Sequence, residues 1–495
     1  MTTLLLANIG NSDLRVDEAR LPAPPNQELR RWWTPRRLGE EVMANYQRYA
    51  DCIELPLLEP TLRWLFNQKG VTVEQLSLYL FASDQPRDYT AEAEWLKDTA
   101  PAAEAIKQHL HTHWKLPRKA VFIRRIDGSP ADYANALNFY QNVLPDIRDK
   151  LADASAQVYL EVSGGTPAMT SMLILMGVET FVGQAVTTLY LDRESSIPYE
   201  IGVAGVLFAR KNRETLLSQI RLYAYAAGRE TVEVTGALLL PDERRRALVA
   251  HLLGYADRRL AFDFRRALAE LTEAYALATG IPQAQIKRWQ GELHDPDARA
   301  LLSELIHSAR IKLKLGDYAD FSQRLFRFQE AVFRCMAEQM GVRFGKGSQF
   351  PSDSWLASQP ALVDYVRQYR RAATGKPLQP HESPIAVDLQ RTLNRYSLGA
   401  IVEYYLQAAQ WSAWRDVADQ LFRLSSVADL RNRGIAGHGF EGIGREDLET
   451  AYGHPAEHIL DDLQDIFEAV FADRPGPDPY DTVNTLIKGL LLEAR

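Results

Sequence analysis

Residues 158–177 read VYLEVSGGTPAMTSMLILMG, a short apolar strand followed by a glycine turn and a helix. Thr166 is a favourable N-cap for that helix, and Pro167 suits its first turn, where a backbone N–H has no helical partner. The glycines of the turn SGGT (163–166) let a ligand approach the backbone, whose N–H groups attract anions. This stretch therefore predicts an α/β sheet with an anion-binding loop after one of its strands.

The first two hundred residues alternate apolar runs with longer amphipathic segments. The predicted strands are Thr3–Asn8, Ser77–Ala82, Ala120–Ile126, Gln157–Val162 and Thr187–Asp192, and the predicted helices lie near Arg36–Arg48, Thr90–Lys115, Ala131–Ala152 and Pro167–Gly183. The first strand, LLLAN, lacks polar alternation, as expected of a parallel strand covered on both faces. The alternation predicts a doubly wound, Rossmann-like parallel sheet, with its ligand outside the carboxyl ends of the strands.

The pattern becomes helical from about Thr215 onward. Apolar residues recur there at spacings of three and four, and one stripe over residues 320–340 consists of Phe321, Leu325, Phe328, Val332 and Met336. No unit recurs with a fixed period, so a solenoid is not indicated. We therefore predict an α/β domain at residues 1–205, a helical connector at 206–300 and an all-α domain at 301–495.

Composition narrows the class of protein. A chain of 495 residues is too long for one core, which agrees with two or three domains. It holds no run of eighteen apolar residues and no basic leader, so we expect neither a membrane span nor a signal peptide. Its two cysteines do not have the spacing of a disulfide framework or a zinc knuckle, so we expect the protein in a reducing cytoplasm. A net charge of −7 means that any nucleic acid must bind a local basic patch.

A second strand end also carries polar groups. Residues 4–14 read LLLANIGNSDL, in which Gly10 permits a tight turn and Asn11, Ser12 and Asp13 offer donors and acceptors. Together with the turn SGGT, this loop is predicted to face one polyanionic nucleotide. No Lys follows the glycines of the turn SGGT, and this turn is not a GxGxxG motif, so neither ATP hydrolysis nor dinucleotide binding is supported there.

The sharpest local signal lies in residues 425–440, SSVADLRNRGIAGHGF. Histidine 438 would transfer protons near neutral pH, and Arg431 would bind a scissile phosphate and the charge that builds on it. Asn432 would orient the phosphate or a catalytic side chain. Because the attacking 2′-OH belongs to RNA, such a set needs no metal and no protein nucleophile. The products would be a 2′,3′-cyclic phosphate and a 5′-OH.

Taken together, these motifs resemble those of the CRISPR-associated ancillary ribonucleases of type III systems, which join a CARF sensor domain to a HEPN nuclease domain. ANIGNSDL and EVSGGTPAMTSML are similar to the two CARF ligand loops, and LRNRGIAGHG is similar to the HEPN Arg-x(4–6)-His motif. Residues 316–341, including Glu330, resemble the early HEPN helix. The resemblance covers most of the chain and is weakest over 210–304.

The resemblance implies an allosteric homodimer for antiviral defence, in which a cyclic oligoadenylate of four or six units activates cleavage of single-stranded RNA. Slow cleavage of the activator in the CARF pocket is a further property of some relatives. The implied ligand-loop residues are Asn8, Gly10, Asn11, Ser12, Ser163, Gly164, Gly165 and Thr166. The implied catalytic residues are Arg431, Asn432 and His438. Family spacing also permits Arg433 as the catalytic arginine; we favour Arg431, which the asparagine follows directly.

Three alternatives stay open. A CARF-linked DNase would need a metal-binding carboxylate cluster of the PD-(D/E)xK kind, for which the helical half supplies no convincing version. A non-enzymatic CARF regulator would carry a basic winged helix-turn-helix of about seventy residues, whereas nearly three hundred residues follow the sensor here. The third is a HEPN toxin whose α/β domain binds an unrelated ligand.

Overall fold

The computed structural model of the chain describes residues 2–23, 32–151, 156–182, 184–192, 195, 197–345, 350–374, 393, 395–432, 434 and 439–492. The chain divides into two compact units. We call them the N-terminal unit (Met1–Ser218 with Gly228–Arg246) and the C-terminal unit (Gln219–Ala227 with Ala247–Glu493). The division into three domains made from the sequence stays a prediction.

The N-terminal unit contains one sheet with the strand order β3-β2-β1-β4-β5-β6. Its strands are β1 (Thr3–Asn8), β2 (Leu76–Ser83), β3 (Val121–Ile126), β4 (Gln157–Glu161), β5 (Ala185–Tyr190) and β6 (Tyr199–Ile201). Neighbouring strands pair in parallel except for β6, which runs antiparallel to β5. This confirms the predicted parallel, Rossmann-like sheet.

The central strand β1 is buried on both faces, which explains its unbroken apolar sequence. Leu5 and Ala7 pack into the core on one side of the sheet, whereas Leu4 and Leu6 pack into the core on the other. All six of its residues are buried. Covering of both faces is the normal condition of a parallel sheet.

Helices cover the two faces of this sheet. They are α1 (Pro35–Ala44), α2 (Tyr46–Tyr49), α3 (Leu58–Asn67), α4 (Glu92–Trp95), α5 (Ala100–Thr112), α6 (Tyr133–Asp149) and α7 (Pro167–Thr180). The first face packs against α1, α2, α3 and α5, and the second against α6 and α7. The sheet is therefore doubly wound, as predicted.

Two predicted helices were wrong in extent. The segment 36–48 is interrupted at Asn45, whose φ of −126° and ψ of 36° leave the helical region. The segment 90–115 splits into α4 and α5, because Pro101 lies in the first turn of α5 and cannot continue a helix from the preceding residues. The sequence analysis predicted neither the helix α3 nor the short edge strand β6.

From Val203 onward the regular elements in the described part of the chain are helices, as predicted. They are α8 (Val203–Arg221), α9 (Tyr225–Leu239), α10 (Glu243–Leu260), α11 (Phe264–Leu277), α12 (Gly280–His294), α13 (Ala298–Leu315), α14 (Tyr318–Gln339), α15 (Asp353–Ala357), α16 (Pro360–Thr374), α17 (Arg395–Leu406), α18 (Arg415–Asp429), α19 (Arg445–Tyr452), α20 (Glu457–Phe471) and α21 (Pro479–Leu492). Among the helices of the described ranges, none is both long and apolar enough to cross a bilayer.

The helix α14 is the centre of the C-terminal core. The predicted stripe of five apolar residues is buried along its length and packs against α13, α17, α18 and α20. This packing fixes the opposite side of α14, which carries Phe326 and Glu330, beside the end of α18.

Candidate functional site

The loops after β1 and β4 lie at the point where the sheet reverses its winding. The chain leaves β1 towards β2 and β3, whereas β4, on the other side of β1, continues to β5. The carboxyl ends of parallel strands flanking such a switch point form the crevice in which doubly wound sheets bind ligands.

A cleft of about 870 Å³ opens at this position in the N-terminal unit. Seven of the eight predicted ligand-loop residues line it: Gly10, Asn11, Ser12, Ser163, Gly164, Gly165 and Thr166. The structure therefore brings together two loops that lie about 150 residues apart in the sequence. The eighth residue, Asn8, lies beneath the loops and is fully buried.

The two loops interlock through their glycines. A Cβ on Gly10 would lie 2.6 Å from the backbone nitrogen of Gly165, and one on Gly164 would lie 2.4 Å from the carbonyl oxygen of Asn8. Gly165 has a φ of +83°, and its Cβ would meet the Cβ of Asn8 at 2.8 Å. No side chain fits at these three positions without displacing neighbouring atoms. The glycines therefore allow the two loops to pack directly against each other, whereas the sequence analysis had predicted that they let a ligand approach.

The side chain of Asn8 has one satisfied and one unsatisfied end. Its Oδ1 accepts a hydrogen bond from the hydroxyl of Tyr140, on α6, at 2.5 Å. Its Nδ2 is buried and has no hydrogen-bond partner among the described residues. An orphaned donor of this kind points to a bound water or ligand atom beside it.

Thr166 and Ser163 tie their loop to neighbouring segments. Thr166 caps α7 by accepting from the N–H of Met169 at 3.2 Å, and its hydroxyl donates to the carbonyl of Pro130, in the loop after β3. The hydroxyl of Ser163 accepts from the N–H of Leu191 at 2.7 Å, just after β5. Both side chains therefore hold the cleft together.

Two buried carboxyl groups, Asp13 and Glu161, lie under the loops; each residue is 1% exposed. Asp13 Oδ2 accepts from the N–H of Gly10 at 2.6 Å, and Glu161 Oε1 accepts from the N–H of Ser163 at 3.0 Å. Burial raises the pKa of Glu161 to about 7. Burial and the negative charge of Glu161 together raise the pKa of Asp13 well above its ordinary value.

Sequence reasoning named Asp13 as a polar residue of its loop but did not name Glu161 or predict that the two lie together. The signal was present, because the acid in YLEV interrupts a strand that is otherwise apolar. A carboxyl group in such a run is either paired inside the protein or placed at a functional site.

The nuclease motif begins directly after α18, in the C-terminal unit. Residues Leu430–Asn432 form a 3-10 turn that presents Arg431 half-buried and Asn432 exposed. The other two predicted residues, Arg433 and His438, lie outside the described residues.

The guanidinium of Arg431 stacks on an aromatic ring. Its Cζ lies 3.4 Å from the ring centroid of Phe326, and its Nε donates to Asn432 Oδ1 at 3.4 Å. Among the described residues, Asn432 is its only hydrogen-bond partner. The remaining N–H groups of the guanidinium can therefore bind a phosphate in the forked, two-point geometry that arginine favours.

A buried network supports this turn from below. Asp429 accepts hydrogen bonds from Arg395 and from Asn432 Nδ2, the latter at 3.3 Å. The side chain of Arg395 is 2% exposed and also donates to Gln329 Oε1 at 3.1 Å. Sequence reasoning missed both Arg395 and Gln329, which no local motif marks.

Charged side chains of both signs surround Arg431 and act on its pKa. Burial lowers the pKa of its guanidinium, and the charges of Arg395 and Arg327 lower it further, against the opposing effect of Glu330 and Asp429. Glu330 forms an ion pair with Arg327 at 2.8 Å. An anion that binds beside Arg431 would stabilise its charged form.

No family model matches the sequence, and no curated protein matches it. A solved structure of Csm6 from Enterococcus italicus aligns with 99% of this chain and 100% of its own, with a TM-score of 0.60 and 12% identity. This chain has the Csm6 fold. That Csm6 structure contains bound cyclic hexa-2'-fluoro-hexa-dAMP. Since the alignment covers nearly the whole chain, the Csm6 likeness includes both the sheet with the cleft and the helices that carry Arg431.

Proposed function

We propose that this chain is a cyclic-oligoadenylate-activated endoribonuclease of a type III CRISPR system. The observation that carries the proposal is the likeness of fold over 99% of the chain to a Csm6 that holds a cyclic hexanucleotide analogue. The cleft of the N-terminal unit would be the sensor, and the turn after α18 would belong to the nuclease.

The sensor cleft has the features that a polyanionic ring needs. Backbone groups of two glycine loops and the first turn of α7 surround it. We propose a homodimer in which two N-terminal units share one ring of four or six adenylates, because a ring with two-fold symmetry matches a two-fold axis. The exposed Asn11 and the half-buried Ser12 are the side chains best placed to touch it.

The nuclease would work without a metal. Arg431 binds the scissile phosphate and the charge that develops on it, and Asn432 orients the phosphate. His438 transfers a proton to or from the reacting oxygens of the RNA. Arg433 is the alternative to Arg431. The products are a 2′,3′-cyclic phosphate and a 5′-OH.

Ring binding would activate the nuclease by favouring one arrangement of the dimer. A ligand shifts such an equilibrium only as far as it binds one arrangement better than the other. In the active arrangement, the two copies of the Arg431–His438 motif reach productive geometry. Slow cleavage of the ring in the same cleft would switch the enzyme off.

Cleavage of a fluorescent single-stranded RNA in EDTA tests the proposal. Wild-type protein is assayed without activator and with cyclic tri-, tetra- or hexa-adenylate. We expect strong cleavage with the tetramer or the hexamer only, and analysis of the product ends should find the cyclic phosphate. Absence of cleavage with every ring would contradict the ribonuclease assignment.

Four variants test the two sites. His438→Ala should abolish cleavage and still bind the ring, whereas Asn11→Ala should cleave normally at a higher activator concentration. Arg431→Lys and Arg433→Lys, compared side by side, decide between the two arginines, because lysine keeps the charge and loses the fork. Normal cleavage by His438→Ala would remove the catalytic assignment.

A further inference from the structure

The carboxyl groups of Asp13 and Glu161 are built into the contact between the two ligand loops. A Cβ on Gly164 would lie 2.7 Å from Asp13 Oδ2, the same oxygen that accepts from the N–H of Gly10. Glu161 holds the other loop through the N–H groups of Ser163 and Gly164. Each carboxyl group therefore fixes the backbone of one loop, and Asp13 touches both.

In the part of the chain that the structure describes, no cation is paired with either carboxyl group. Among the described residues, none of the hydrogen bonds or ion pairs of Asp13 and Glu161 involves Lys, Arg or His. The charged and titratable side chains that line the cleft above them are Arg15, Glu94, Lys97, Asp98, Tyr190 and Asp192. Lys97 is paired with Glu94 at 2.7 Å, and Asp98 is paired with the buried Arg36 at 3.2 Å. From α6, Tyr140 reaches Asn8 rather than the carboxyl groups.

Two buried carboxyl groups whose charges interact do not both ionise readily, because each charge is desolvated and repels the other. A cyclic oligoadenylate would add one phosphate charge per nucleotide directly above them. The ligand and the ionised pair therefore oppose each other, and a proton on the pair relieves that opposition.

We propose that Asp13 and Glu161 retain a proton on one of the two carboxyl groups when the cleft is occupied, so that the sensor takes up a proton as it binds its polyanionic ring. The inference rests on the proposed function and adds the proton as a second ligand of the same site. At 1% exposure each, the two side chains act through the loops that they hold and are positioning residues.

Because proton binding and ring binding are linked, the pKa of Glu161 determines how the ring affinity changes with pH. Burial already holds the pKa of Glu161 at about 7, and a bound polyanion raises it further because it disfavours the ionised form. Above about pH 7, ring binding must then restore a proton that the free protein has lost. The affinity should fall as the pH rises, with a limiting slope of about tenfold per pH unit for one proton.

Titration calorimetry with cyclic hexa-adenylate, and with the tetramer if that ring activates, measures the effect directly. Binding is followed at about pH 6.5, 7.5 and 8.5, where neither phosphodiesters nor adenine titrate, in two buffers of different ionisation enthalpy at each pH. We expect a buffer-dependent enthalpy near pH 7.5 that corresponds to uptake of a fraction of a proton, and weaker binding at the highest pH.

Glu161→Gln removes the charge with little change in shape and should make the affinity nearly independent of pH. Asp13→Asn leaves Glu161 as the single carboxyl group under the loops, so the pH dependence of the affinity should change from that of two interacting groups to that of one. This second variant keeps the test valid if the first does not fold, which thermal melting reveals. Asp192→Asn is the matched control: it removes an exposed carboxylate from the same cleft and should leave the pH dependence in place.

The outcomes are distinct. Tight binding that shows no proton uptake and no pH dependence in the wild type overturns the inference and leaves the proposed function intact. An unchanged pH dependence in both Glu161→Gln and Asp13→Asn overturns it as well. Failure of every ring to bind at every pH counts against the proposed function itself.

Discussion

The guanidinium of Arg431 lies over the ring of Phe326, with 3.4 Å between its Cζ and the ring centroid. Phe326 belongs to α14 and Arg431 to the turn after α18, so the contact joins two segments that are far apart in the sequence. A ring beneath a guanidinium restricts its orientation while its N–H edges stay open to an anion. The stack therefore fixes the direction in which the N–H groups of Arg431 point.

Phe326→Leu should slow RNA cleavage, because it removes the ring and keeps an apolar side chain in its place. A cation–π contact at a half-exposed site contributes about 1 kcal/mol, so we expect a loss of roughly fivefold to tenfold in kcat. Phe344→Leu is the matched control, since Phe344 lies under Arg334 at 4.3 Å, away from the motif. Equal cleavage rates for the two variants would contradict the role of Phe326 in orienting Arg431.

Arg395→Met should destabilise the C-terminal unit. It removes the ion-pair partner of Asp429 and leaves the buried Gln329 Oε1 without its donor, and an unsatisfied buried acceptor costs about 1–3 kcal/mol of unfolding free energy. Urea unfolding measures this loss. Arg327→Met, which breaks an exposed ion pair on α14, should change the stability little. A similar loss of unfolding free energy in both variants would contradict a stabilising role of the network around Arg395.

Gly165→Ala should weaken ring binding and lower stability together. The substitution places a side chain at a φ of +83° and 2.8 Å from the Cβ of Asn8, which should cost about 3 kcal/mol or more. Gly70→Ala provides the control, because Gly70 has a φ of +67° and nothing within 4 Å of its Cβ. That variant should lose only about 1 kcal/mol and keep its ring affinity. Thermal melting and ring binding measure both quantities.

Glu161 should make the N-terminal unit less stable as the pH rises. Its pKa is raised from 4.5 to about 7 in the folded state, so the folded protein binds the proton more tightly than the unfolded chain does. The stabilisation is full below about pH 4.5 and is lost as the pH approaches 7, by up to about 3 kcal/mol. Thermal melting between pH 5 and pH 8 should show this decline in wild type and less of it in Glu161→Gln. The exposed Glu200→Gln should retain the wild-type decline.

The two cysteines should differ in reactivity. Cys335 is buried in the C-terminal core, and burial raises its pKa to about 11. At pH 8 only about one thiol in a thousand would be ionised there. Iodoacetamide should therefore alkylate the half-buried Cys52 first in the native protein, and both residues in urea. Rapid native labelling of Cys335, detected by mass spectrometry, would contradict this order.

The sequence predicted those elements whose signals are local. The apolar run of β1, the turn before α7 and the stripe on α14 each depend on residues within one or two turns of one another, and the structure has all three. The helix break at Asn45 depends on backbone angles that periodicity does not reveal, whereas the break before Pro101 has a local signal in the proline itself, which the apolar spacing did not take into account. The edge strand β6 is only three residues long, too short to show a period.

The missed site residues depend on contacts between distant segments. Arg395 meets Gln329 and Asp429 only after α14, α17 and α18 have packed together. Likewise, Asp13 and Glu161 become a pair because β1 and β4 are neighbours in the sheet, although β2 and β3 lie between them in the sequence. The sequence shows which residues are chemically unusual and not which of them meet.

The position of β1 in the middle of the sheet has a consequence for how the protein is made on the ribosome. Since β1 emerges before β4, its second edge stays uncovered until β4 follows, and Gly10 lacks its contact in the other loop until Gly165 has been translated. A nascent chain that stalls before this point would expose an open, hydrophobic strand edge, the kind of surface that chaperones recognise and that promotes aggregation. Slow translation before β4 should therefore reduce the yield of folded protein more than slow translation after α7.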